Sequence, residues 1–431
     1  MQSSKCSILT GFLGNFLEHY DCALFSLLAP FLAPLFFNQE DPVVSLILTY
    51  AMLPLGFLSR FIGSLFFGWV GDCLGRKKAL CSSLTGLSIT TVLMGFLPTY
   101  AQVGMMAPLG LLLARLLQGF FAAGETVGGA IFVLEQTESK KRNWMSSLYD
   151  ASSVLGMLTA SFILFLYSYF SQEINWRYLF WAGALTAIIA LILRVISKEE
   201  IKPKLRKKIF DVFLQHKRVF MTVALVAGFS SSIYCLAFTL ASGYIPLITS
   251  ITKNQIVRIN TYLLCFDMCI LPLFGYLATK IGKEKQMLIG ALGTALIAVP
   301  CFYCFSVSSI LIVTIGRVLL VIAGVIFCAT YHAWAQDLVE QEHRYRILCT
   351  AHAAGSQIIG TSTAFISLWL YKASGWVIAP ALYVICVALL AAWAVFTSKQ
   401  AYNKKKAPML ISYTAFDTTQ QNKRDLLSDQ L

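Results

Sequence analysis

Hydrophobic and polar positions alternate along this chain on the scale of whole helices. Twelve apolar stretches, at about 6–36, 42–71, 78–98, 104–135, 143–170, 175–196, 217–249, 254–280, 285–305, 308–338, 344–372 and 376–397, are separated by polar turns. Each is long enough for the roughly 20 apolar residues that carry a helix across a bilayer. The pattern therefore predicts an all-α polytopic membrane protein with twelve transmembrane helices. The one long polar interruption, SKEEIKPKLRKKIFDVFLQHKR at 197–218, follows the sixth stretch. It divides an N-terminal six-helix bundle (1–196) from a C-terminal one (217–397), with 197–216 as linker. The tail, 398–431, is polar and without a heptad pattern, and is expected to be disordered. Isolated apolar positions of the linker (Ile209, Phe210, Val212, Phe213, Leu214) could lie on a membrane surface, or the segment is a plain solvated connector. The first stretch contains Glu18 and Asp21 and is unlike a cleavable signal, so it is read as the first span.

The two halves repeat each other. GWVGDCLGRKK (68–78) follows the second stretch, and GYLATKIGKEK (275–285) follows the eighth. Arg115 and Arg317 sit in similar surroundings 202 positions apart, and the same offset sets Arg142 opposite Arg344 and Asp150 opposite His352. Two pseudo-symmetric six-helix bundles with parallel repeats are an arrangement of secondary transporters. Within the repeated turn, Gly68 permits close approach of two helix backbones. Asp72 ends its helix where a carboxylate can bond the exposed amides of a neighbouring helix start. Gly75 turns the chain and Arg76 opens a run of cations. The turn is expected to act as a gating latch between helices that part; Thr279 replaces the aspartate in the second copy, which should be the weaker latch.

Composition agrees with the pattern: 57% of residues are hydrophobic and 13% charged, against about 25% charged in soluble domains. The net charge of +13 could suggest nucleic acid, but its placement argues otherwise. With both termini cytoplasmic, 26 of the 34 Lys and Arg fall on the inner side, as the positive-inside rule requires. Nucleic acid is therefore excluded as a partner, and the bilayer is the expected one. Twelve cysteines are scattered, mostly within spans and without zinc spacing, so neither a metal site nor a disulfide framework is expected.

Ionisable residues inside spans are costly and are functional candidates by default. The first span carries Asn15, Glu18 and Cys22 on one stripe, with Asp21 close to the same side. Glu18 lies near mid-bilayer at 1.5 Å of rise per residue, which suits it to load and release a proton; a structural interhelical hydrogen bond is the other reading of both acids. The fourth span carries Arg115, Gln118 and Glu125 on a polar stripe. Arg115 is permanently charged and needs a carboxylate partner or an anionic ligand; pairing within the bundle is the alternative for it and for Glu125. Asp150, Asp267, His332 and His352 complete the candidates, the histidines serving either as relay or as structural donors. Because carboxylates outnumber cavity cations on this count, a zwitterionic ligand is favoured over an organic anion. Ser230–Ser232, Tyr234, Ser242, Gly243, Tyr244 and Pro246 make the seventh span breakable, and Pro30 and Pro34 do the same for the first.

No enzyme motif survives inspection: there is no GxSxG, Walker A or HExxH sequence, and the GETVGG at 124–129 lies within a span.

GDCLGRKK after the second span resembles the signature of the major facilitator superfamily, with Cys73 where a basic residue is usual. GNFLEHYDCALF (14–25) resembles the first-helix motif of the metabolite:proton symporters, which include proline/betaine, α-ketoglutarate, citrate and shikimate carriers. RLLQGFFAAGETVGGA (115–130) is similar to that family's fourth-helix motif; His19, Cys22 and Ala123 depart from it. The resemblance implies proton-coupled symport of a small polar metabolite by alternating access. It also implies the plasma (inner) membrane of a bacterium and protons as the coupling ion. No other cofactor and no partner beyond substrate and lipid are expected, hence a monomer. A proton-coupled antiporter or exporter, or a transporter-like sensor, is the alternative; a sensor would need a signalling domain, and the short tail is not expected to hold one.

Overall fold

In the computed structural model the described residues are 2–37, 41–74, 76–123, 127–170, 175–182 and 216–398, and all regular structure among them is helical. The N-terminal half comprises α1 (Gln2–Phe36), α2 (Pro42–Leu74), α3 (Arg76–Gly95), α4 (Met106–Ala122), α5 (Gly128–Glu135) and α6 (Arg142–Phe170). The predicted sixth span opens as helix at 176–182. The C-terminal half comprises α7 (Lys217–Tyr234), α8 (Ala241–Ile248), α9 (Lys253–Ile281), α10 (Lys283–Phe305), α11 (Ile310–Cys328) and α12 (Tyr331–Asp337). It continues through α13 (Gln341–Gly355) and α14 (Ser362–Ser374) to α15 (Ala379–Ser398). The linker and tail lie outside the described residues.

Four predicted spans are built from pieces rather than single helices. In the fourth, α4 ends at Ala122 and α5 starts at Gly128, and the tenth is interrupted between Cys328 and Tyr331. The seventh contains a π-helical segment, Cys235–Leu240, and the eleventh another, Ser356–Gly360. Such i→i+5 turns are rare and leave carbonyls in need of other donors. Arg317, fully buried on α11, donates to the Ala237 carbonyl at 2.7 Å and also to Asn260. Tyr383 donates to the Ile359 carbonyl at 2.7 Å. The first span differs from expectation: α1 runs unbroken through Pro30 and Pro34.

Within each half, helices close on one another where a side chain is missing. A methyl group on Gly156 of α6 would stand 2.1 Å from the Phe16 carbonyl oxygen of α1, and one on Gly355 of α13 would stand 1.9 Å from the Ala224 carbonyl oxygen of α7. The two helix pairs correspond in the two halves, and in both a glycine sets the spacing, although the glycines themselves are out of the 202-residue register. Between halves, α6 lies along α9 and α2 against α14. The seam is small and polar: Ser161 and Thr261 share a hydrogen bond of 2.8 Å, and Tyr50 donates to the Thr239 carbonyl at 2.6 Å. Large apolar side chains such as Leu273, Leu296, Leu311 and Trp393 are exposed around the outside. That surface fits hydrocarbon, not water.

Candidate functional site

A cavity of about 270 Å³ lies between the two halves. Its N-terminal wall presents His19 and Cys22 from α1, Arg60 from α2, Arg115 and Gln118 from α4, and Asp150 from α6. The C-terminal wall presents Tyr234, Thr239, Cys328, Tyr331, His332 and His352, with no carboxylate, lysine or arginine. Every fixed charge on the lining thus comes from one half.

The carboxylates of α1 are buried and do not line the cavity. Glu18, 4% exposed, is ion-paired with Arg60. Asp21, 8% exposed, accepts from the Thr91 hydroxyl at 2.8 Å and from the Gln118 amide. Gln118 in turn accepts from Arg115, so the amide stands between the carboxylate and the guanidinium. The guanidinium of Arg115 lies over the Phe25 ring, 4.1 Å from its centroid, and forms no ion pair among the described residues. Asn15 donates to the Tyr149 carbonyl, to Ser152 at 2.9 Å and to Ser153 at 2.6 Å, tying α1 to α6. Glu18 and Asp21, counted from sequence among the cavity's carboxylates, thus lie behind its wall. Among the described residues two guanidiniums and one carboxylate face the cavity, because the acids of α1 turn toward neighbouring helices.

The structure brings Asp150, His332 and His352 together. His332 Nε2 lies 3.1 Å from Asp150 Oδ1, and the Tyr331 hydroxyl and His352 Nδ1 lie 2.8 Å apart. The two imidazole centroids are 6.3 Å apart. Asp150 belongs to the N-terminal half and His332 to the other, so this contact crosses the cavity. Asp267 stays apart: it is fully buried and receives a long hydrogen bond from the Tyr234 hydroxyl, 3.4 Å, with Tyr234 between it and the cavity. Glu125, and the latch formed by Gly68, Asp72, Gly75 and Arg76, lie outside the described side chains.

Both mouths of the cavity are tied across the halves. At the end rich in basic residues, Arg344 pairs with Glu135 at 3.0 Å and Arg142 with Asp337 at 3.9 Å; Lys283 also pairs with Asp337. Glu135 and Asp337 are separated by the same 202 positions as Arg142 and Arg344. Each half therefore offers an arginine to the other half's acid. At the opposite end, Lys372 pairs with Asp41, and Lys253 donates to the Pro30 carbonyl at 2.7 Å. Sequence reasoning placed Arg142 and Arg344 in register but missed their acids, although the offset carries them. It also missed Arg60 as the partner of Glu18, since a separation of 42 positions leaves no periodic signal.

A family model described as sugar (and other) transporter matches residues 6–200, and one described as major facilitator superfamily matches residues 227–413. A putative proline/betaine transporter of Staphylococcus aureus (strain COL) is 28% identical over 411 residues, covering 90% of this chain and 86% of the relative. The proline/betaine transporter of Salmonella typhimurium is 26% identical over 422 residues, covering 92% and 84%. The glycine betaine/proline/ectoine/pipecolic acid transporter of Dickeya dadantii is 27% identical over 423 residues, covering 92% and 84%. Among solved structures, a D-xylose–proton symporter superposes with a TM-score of 0.71 at 15% identity, covering 91% of this chain and 96% of that one. At that identity the likeness shows the fold: twelve spans in two six-helix bundles.

Proposed function

The chain belongs to the major facilitator superfamily, and on that premise we propose that it is a proton-coupled symporter importing a small polar metabolite by alternating access. It is a multi-pass membrane transporter and not an enzyme. The observation that carries the reading is the cavity between the halves, which holds fixed charges on its wall and is tied across the halves at both ends. A carrier needs a state in which its halves are held together at both ends and from which either mouth can open. Names borne by the relatives at 26–28% identity favour proline, glycine betaine or a similar zwitterion as cargo. An organic acid is the second chemistry the cavity accommodates.

The coupling proton belongs on α1. Glu18 is already neutralised by a guanidinium, whereas Asp21 is held by two neutral donors. A carboxylate held by neutral donors can take up a proton without breaking an ion pair, so Asp21 is the first candidate and Glu18 the second. The Asp150–His332 contact joins the halves across the cavity and is placed to register the ligand. The ion-paired basic end is the cytoplasmic one, with both termini on that side of a bacterial plasma membrane, by the charge bias of the sequence. Adding proline or glycine betaine to lightly buffered, energised cells expressing the protein should raise the external pH as protons enter with the solute. Acidification of the medium would mean exchange, and a proton-driven exporter would replace the symport reading.

A further inference from the structure

We propose that the cavity recognises its ligand by a carboxylate group, which docks on the guanidinium of Arg115; this rests on the reading of the chain as a carrier and names the ligand chemistry of that site.

Among the described residues Arg115 is the cavity cation without an ion pair. Arg60, the other guanidinium on the wall, has Glu18. The contacts of Arg115 are the neutral amide of Gln118 and the face of Phe25, and its Nε is buried without a hydrogen-bond partner. The nearby acid, Asp21, reaches it only across the Gln118 amide, because its oxygens take the Thr91 hydroxyl and that amide and leave the free N–H edge of the guanidinium uncontacted. A guanidinium withdrawn from water needs a counter-charge. Among the described residues neither wall sets a carboxylate against it: the C-terminal wall has none, and Asp150 turns its Oδ1 to His332. With one terminal nitrogen given to Gln118 and Nε unused, the guanidinium keeps a free N–H edge, and a carboxylate fits such an edge with two parallel hydrogen bonds.

The same geometry orients the rest of the ligand. With the carboxylate on the N-terminal wall, the remainder faces the hydroxyls, thiols and imidazoles of the C-terminal wall. The second oxygen of Asp150, buried and without a partner, is left to accept from an ammonium N–H. Rings that could surround a fully methylated ammonium are committed to one another. Tyr234 and Phe238 stack with 21° between their planes, and Tyr331 lies against both imidazoles. The carboxylate is therefore the common requirement, and amines with N–H groups fit better than quaternary ones. A ligand held by both walls also bridges the halves, which links occupancy to closure.

The test is a binding measurement on the purified full-length protein without any gradient, so that a failure of proton coupling cannot be mistaken for a failure of recognition. Four probes form two matched pairs: L-proline with L-prolinol, and glycine betaine with choline, each pair differing by a carboxylate against a hydroxymethyl group. The expected result is binding of at least one carboxylate, proline the tighter, with its partner weakened by roughly 100-fold, as for loss of a charged hydrogen-bonded pair. Arg115→Gln should lower carboxylate binding to the level of the alcohols, and Arg115→Lys should retain part of it, since the charge stays and the fork is lost. Size-exclusion and thermal unfolding of both variants report whether they fold. Prolinol or choline binding as tightly as the acids overturns the proposal. So do a panel in which neither acid binds and a folded Arg115→Gln protein with unchanged affinity. None of these results bears on whether protons drive transport, which is measured separately.

Discussion

At the scale of the residue, burial and partner decide what a carboxylate in a membrane helix can do. The sequence marks Glu18 and Asp21 alike, three residues apart on one helix, and depth alone favours Glu18. The structure separates them by their partners: a guanidinium for Glu18, a hydroxyl and an amide for Asp21. That distinction was illegible because Arg60 and Thr91 come from other helices, at sequence distances of 42 and 70. Two variants separate the roles. Asp21→Asn should abolish uphill uptake while downhill counterflow persists, because exchange of substrate needs no net proton movement. Glu18→Gln should leave Arg60 buried without its counter-charge, at a cost of about 3–5 kcal/mol, read as lower expression and an earlier thermal transition. If Glu18→Gln folds normally and loses coupling while Asp21→Asn retains it, the proton belongs to Glu18.

At the scale of the element, the apolar pattern located the spans well and their interruptions poorly. Spans are legible because about 20 apolar residues are required whatever the neighbours. The π-helical segments of the seventh and eleventh spans depend on donors supplied from elsewhere, Arg317 and Tyr383, and nothing within those segments announces them. The closing pairs at the basic end sit between these extremes, since the 202-residue offset aligns both arginines and both acids. Each exposed or half-buried pair contributes roughly 0.2–1 kcal/mol, enough to change the ratio of closed to open basic ends by up to about fivefold. Neutralising both acids, Glu135→Gln with Asp337→Asn, should open that end. Exchanging one pair, Glu135→Arg with Arg344→Glu, should close it again. Spin labels on cysteines placed at Glu138 and Glu340 in a cysteine-free background report the separation. Unchanged distances in the neutralised protein would show that the arginines do not hold this mouth.

At the scale of the molecule, the duplicated half is the most legible property of the chain. GWVGDCLGRKK and GYLATKIGKEK announce it before any helix is placed, and glycine contacts between corresponding helices, Gly156 of α6 against α1 and Gly355 of α13 against α7, express it in packing. What repetition does not encode is the asymmetry that gives the cavity its chemistry. Arg115 faces the cavity, whereas its counterpart Arg317 is fully buried and braces a π-helical turn. Asp150 and its counterpart His352 are linked through His332, which contacts the carboxylate and neighbours the other imidazole. One half therefore holds charge and the other holds neutral polar groups, as a ligand with one anionic end would require. The central claim is that this cavity moves its ligand with a proton in the same direction. Purified protein in liposomes, acidic outside and neutral inside, should accumulate labelled proline or glycine betaine above the external concentration, and a protonophore should discharge the gradient of solute. Accumulation indifferent to the imposed pH difference, or driven only by the reverse gradient, would contradict it.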